Sequence, residues 1–116
     1  MAVDPDFRLW LEDTLGRILP VRTRPMFGGL GIWSGELFFA LADDDTLYVK
    51  GDVETWKALE DGGSSRFRPF GNDGPTMDYW KVPADVLEDP GLLTEWVEMA
   101  LGAAVRGKQK KRRPSR

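Results

Sequence analysis

The sequence predicts an α+β domain: a mainly antiparallel sheet of four to five strands around a β-meander, with N-terminal and C-terminal helices and a short helix inserted between strands. Three observations carry this. Met26 to Trp33, Leu37 to Ala42 and Leu47 to Lys50 are apolar runs separated by short turn signals. Asp4-Pro5 and Asp89-Pro90 are each a helix cap followed by proline, ahead of apolar residues at helical spacing. The 116 residues make one domain, long enough to bury a core without disulfides.

The first helix is expected over about 5–16, with Phe7, Trp10, Leu11 and Leu15 as its apolar stripe and Pro20 barring extension. The first strand then carries Gly28, Gly29 and Gly31. Such glycines could suggest a phosphate loop, but that loop opens a helix, and these lead into a hairpin. A bulge or a close packing approach is the preferred reading. Ser34-Gly35 is read as a two-residue turn, which sets Ile32 opposite Leu37 and Leu30 opposite Phe39. One sheet face then gathers Met26, Leu30, Ile32, Leu37, Phe39 and Leu41 as the core. The other gathers Phe27, Gly29, Gly31, Trp33, Phe38, Ala40 and Ala42, a small-residue floor bordered by aromatics.

Asp43-Asp44-Asp45 makes the next turn: a three-residue loop places Leu47 and Val49 in the core and Tyr48 and Lys50 on the floor side, a four-residue loop reverses that, and the former is preferred because it keeps the aliphatic face consistent. Asp52 caps a helix at about 53–60, and Gly62 to Ser65 breaks the chain. Phe67-Arg68-Pro69-Phe70 suits a short edge strand, residues 71–75 a loop, and Met77 to Val82 a strand. Pro83 opens a helical turn through Leu87. Leu93, Trp96, Val97, Ala100, Leu101 and Ala104 define a last helix over about 90–105. The domain is placed at 1–105. Residues 106–116 are placed as a basic tail, polar and disordered.

Composition narrows function. There is no cysteine and no histidine, which removes thiolate chemistry and the commonest general base and metal ligand. No cofactor and no metal are expected. The start lacks a signal-peptide pattern and no apolar run reaches the ~20 residues that span a bilayer, so a cytoplasmic protein without membrane contact is expected. Residues 106–116 hold seven of the 16 basic residues and no acid, which leaves nine basic against 19 acidic residues before them. An acidic body with a basic tail assigns any nucleic-acid contact to the tail, through Lys108, Lys110, Lys111, Arg112 and Arg113.

Glu36, Asp52, Asp78 and Lys81 lie near strand ends, but nothing in their spacing pairs them for acid–base work. Asp43 to Asp45 lack the pattern of a calcium loop. The floor with Phe27, Trp33, Phe38 and Tyr48 has two readings: a terminal helix packs on it, or it is left as a surface for a partner, a ligand or a second copy.

Arg24 to Trp33, with Leu37 to Leu41, Leu47 to Lys50, Met77 to Pro83 and the last helix, resembles the N-terminal domain of the TfoX/Sxy family over about residues 5–105. The motif positions are Met26, Phe27, Gly28, Gly29, Gly31, Leu47, Tyr48, Lys50, Tyr79 and Pro83. Trp33 stands where the family often shows tyrosine. The resemblance implies a bacterial competence regulator of co-activator type, with a protein partner in the transcription machinery and no catalytic residues. Full-length regulators carry a second helical domain, and here a basic tail follows the first, so a single-domain member is expected. The leading expectation is a non-enzymatic interaction domain of this regulatory kind. The alternative is a small-ligand binder or enzyme with a pocket on the glycine/alanine-floored sheet face, and a homodimer through that face is a third.

Overall fold

The computed structural model describes residues 3–26, 28–68 and 77–112. Helix α1 (Pro5–Gly16) begins as its sequence dictates: the Asp4 carboxylate accepts from the Asp6 amide, and Pro5 fills the first turn. Its buried residues, Leu11 and Leu15, face the sheet.

Five antiparallel strands follow in order: β1 (Arg22–Met26), β2 (Gly29–Ser34), β3 (Leu37–Asp43), β4 (Thr46–Lys50) and β5 (Tyr79–Lys81). The expected first strand is therefore two. The chain reverses between Met26 and Gly29, where Gly28 takes φ 78°. Strand β1 escaped notice because Arg22, Thr23, Arg24 and Pro25 form an edge strand with no apolar run.

The β2–β3 register corrects the expected faces. The turn is one residue later than expected, with Ser34 opposite Leu37 and Gly35 at φ 57°. Trp33 pairs with Phe38, yet Ile32 pairs with Ala40, so a β-bulge inserts Phe39. Phe39 is fully buried. Beyond it every side chain of β3 lies on the face opposite to that expected: Ala40 and Ala42 join Leu30 and Ile32 in the core, and Leu41 goes to the other side. Met26 likewise lies on the outer face, over Gly31.

The next turn is Asp44-Asp45, with positive φ at both and Asp43 opposite Thr46. It is one residue shorter than expected. Because the bulge had already changed the parity, Leu47 and Val49 still reach the core, and Tyr48 and Lys50 the outer face.

Helix α2 (Trp56–Asp61) starts later than expected, after a turn in which the Asp52 carbonyl accepts from the Thr55 and Trp56 amides. Residues 65–67 flank β5: the Phe67 amide donates to the Tyr79 carbonyl and the Lys81 amide to the Ser65 carbonyl. Pro69, Phe70 and the expected loop at 71–75 lie outside the described residues. Helix α3 (Ala84–Leu87) follows Pro83 as expected. Helix α4 (Pro90–Arg112) opens with the Asp89 carboxylate accepting from the Gly91 and Leu92 amides. It continues to Arg112, so residues 106–112 are helical where a disordered tail was expected.

The helices contribute to one core on one face of the sheet. Helix α4 packs across β3 and β4, bringing Ala100 and Ala104 into the same cluster as Ala40 and Ala42. Small residues on both sides permit close approach of helix and sheet.

Candidate functional site

Strand alternation sorts the outer face without ambiguity. Arg22, Arg24 and Met26 of β1 lie opposite Trp33, Gly31 and Gly29 of β2. Phe38 and Leu41 of β3, Tyr48 and Lys50 of β4, and Tyr79 and Lys81 of β5 continue the same face.

The glycines serve packing. A methyl at Gly29 would sit 2.5 Å from the Ala42 carbonyl oxygen, so β3 itself requires the missing side chain. At Gly31 it would meet Met26 Sδ at 2.5 Å and the Trp33 ring at 2.7 Å. Met26 and Trp33 therefore lie down on the strand over Gly31.

A row of rings crosses the face. Trp33 and Phe38 have centroids 4.7 Å apart, and Phe38 and Tyr79 5.8 Å. The Arg22 guanidinium covers Trp33 at 5.1 Å, and the Lys50 ammonium covers Tyr79 at 5.2 Å. Further along, Tyr48 meets Phe67 at 4.4 Å. Trp33, Phe38, Tyr48 and Phe67 are half-buried, while Arg22, Arg24 and Lys81 are exposed. Burial pushes the Tyr79 hydroxyl up to about 12, and the Asp78 charge adds to this. The Tyr48 hydroxyl is raised for the same first reason, then by Asp43 and Asp44.

Of the four residues proposed as a partner surface, Trp33, Phe38 and Tyr48 share this face; Phe27 lies outside the described residues. The glycine–alanine floor does not exist as one surface. Its glycines are on the outer face, and its alanines lie in the core that α4 helps to build. Of the family-motif positions, Leu47 is a core residue and Pro83 precedes α3. Sequence reasoning missed Arg22, Arg24, Phe67 and Lys81 as members of the face. The alternation of Arg22 and Arg24 at strand spacing was the available signal.

The polar residues weighed for catalysis are not brought together. Glu36 receives Lys108 Nζ at 2.7 Å. Asp52 is held by Arg106, whose hydrogen bonds keep its carboxyl below the ordinary carboxylate value. Asp78 Oδ1 accepts from the indole N–H groups of Trp56 and Trp80, each at 2.9 Å, and the Arg66 guanidinium lies over both rings. Asp44 and Asp45 form the β3–β4 turn. Among the described residues, no group of three or more histidine, cysteine, aspartate or glutamate side chains could hold a metal ion.

The basic end of α4 is partly committed to the body. Arg106 and Lys108 pair with Asp52 and Glu36. Lys110 is exposed, and nothing is described of the side chains of Lys111 and Arg112 or of Arg113. Where α4 passes the end of β4, Lys50, Lys108, Glu36 and Phe38 border a groove of about 340 Å³. No helix among the described residues is long and apolar enough to cross a membrane.

The architecture is an α+β domain with an aromatic, cation-rimmed sheet face. The TfoX N-terminal domain model matches residues 13–104, and the chain belongs to that family. It is 32% identical over 79 residues to the DNA transformation protein TfoX1 of Aliivibrio fischeri (strain ATCC 700601 / ES114), an alignment covering 67% of this chain and 38% of that protein.

Proposed function

We propose that this domain is a non-enzymatic regulatory module of DNA transformation that acts by contact with the transcription machinery. The observation that carries the reading is family membership over residues 13–104, together with the likeness to a protein described by its role in DNA transformation. Glu36, Asp52 and Asp78 each make a separate side-chain contact, with Lys108, Arg106 and two indoles. A protein partner has a natural seat on α1, where Leu9 and Trp10 are 64% and 42% exposed and Trp10 stacks on Phe7 at 6.0 Å.

Affinity capture from the protein's own cells tests this, comparing the native chain with a Leu9→Ser/Trp10→Ser variant. Recovery of a transcription factor or RNA polymerase by the native chain, lost in the variant, supports the reading. Failure to recover either, or equal recovery by both, counts against it.

A further inference from the structure

We propose that the outer face of the sheet binds single-stranded DNA, using its rings as stacking platforms and its flanking cations for the phosphates. The inference goes beyond the regulatory reading and stands apart from it, since contact through α1 can fail without touching this face.

The argument begins with charge. Residues 1–105 carry ten more acidic than basic groups, yet the strand residues of this face carry four cations, Arg22, Arg24, Lys50 and Lys81, against one acid, Asp43. Folding has sorted the charges, and local potential governs an encounter with a polyanion. The cations flank the aromatic row from one edge of the sheet to the other. From β1 to β5 there are four inter-strand steps of about 4.8 Å, or about 19 Å. Arg22 and Lys50 lie over Trp33 and Tyr79, so a stacking base displaces them toward the phosphates, and Arg24 and Lys81 are exposed beside the row.

The half-burial of Trp33, Phe38 and Tyr48 leaves part of each ring to solvent while holding it in place. Anchored rings lose little freedom on binding. Asp43 is the one carboxylate on these strands, which limits repulsion of the phosphates.

The test uses the full chain and a fluorescently labelled thymidine strand of about twelve nucleotides, followed by anisotropy over a salt series. The native protein is expected to bind, with affinity falling as salt rises. Arg24→Glu/Lys81→Glu changes two exposed groups and should weaken binding at least tenfold. Neutral Arg24→Gln/Lys81→Gln should flatten the log–log salt slope by about 1.4, and it replaces the reversed pair if that pair melts earlier than the native chain. The DNA-induced tryptophan quench should be largely lost in Trp33→Phe. Truncation after Gln109 should preserve binding to within a few-fold. The proposal is overturned if the native chain does not bind, if the paired variants bind as it does, or if truncation abolishes binding. Tighter binding to RNA of the same sequence or to duplex DNA would overturn it as well.

Discussion

Arg106 of α4 forks onto Asp52, just past β4, with Nε and Nη2 reaching its two carboxylate oxygens at 2.5 and 3.0 Å across 54 positions of sequence. Glu54 adds a second carboxylate at 3.3 Å from Arg106 Nε. This fork and the Lys108–Glu36 pair tie the end of α4 to the body.

Acid titration should report the fork. Asp52 is held below its ordinary value of 3.8, chiefly by the Arg106 hydrogen bond. A depressed folded value means the stabilisation is complete above 3.8 and is lost as pH falls through the folded value. Both side chains are partly exposed, so Arg106→Gln should cost about 1 kcal/mol at neutral pH. The variant should converge on the native protein in acid. Urea melts across a pH series check both parts.

The two glycines of β2 should respond differently. At Gly29 the obstacle is the backbone carbonyl of Ala42, which cannot move without disturbing the β2–β3 pair. Gly29→Ala should destabilise by about 2–3 kcal/mol. At Gly31 the obstacles are side chains, and the Met26 thioether can swing away. Gly31→Ala should cost less, and pairing it with Met26→Ala should recover part of the loss. Denaturant midpoints distinguish the two positions.

Asp78 should prove structural. It gives one carboxylate oxygen to two indole donors, and Trp80 is only 2% exposed. Asp78→Ala leaves both donors without that acceptor and should cost about 2–3 kcal/mol. Asp78→Asn keeps a carbonyl oxygen and should retain most of the stability. Near-ultraviolet circular dichroism together with urea unfolding gives the comparison.

Tyr79 should govern the alkaline limb. Its hydroxyl is raised from 10.0 to about 12, so the folded state keeps a proton that the unfolded chain releases. That contribution is present below 10.0 and is lost as pH rises toward about 12. Tyr79→Phe should remove this dependence, and ultraviolet phenolate titration should show one late-titrating tyrosine missing.

Much of the fold was legible because its signals are local. Asp4-Pro5 and Asp89-Pro90 cap α1 and α4 through contacts within three residues of each cap. Leu47 and Val49 were assigned correctly to the core, but only because a loop one residue too long offset an unseen bulge. The bulge left no mark in Leu37 to Ala42, since an apolar run looks alike in either register. The end of α4 was hidden differently: Gly107 and the lysines read as tail, while the partners that hold Arg106 and Lys108 are distant in sequence.

The amino-acid sequence by itself determined the helix starts, the three apolar strands of the meander and membership in the family, because capping, periodicity and motif spacing act over a few residues. Only the tertiary structure decided which face each side chain of β3 occupies, since a single inserted Phe39 reverses the parity of the rest of that strand. It also decided where the charges lie. The sequence sums to an acidic body with a basic end. Strand pairing instead gathers Arg22, Arg24, Lys50 and Lys81 on one aromatic face, while Arg106 and Lys108 of α4 pair with Asp52 and Glu36. Side-chain direction depends on register, and register is a property of pairs of strands rather than of either alone.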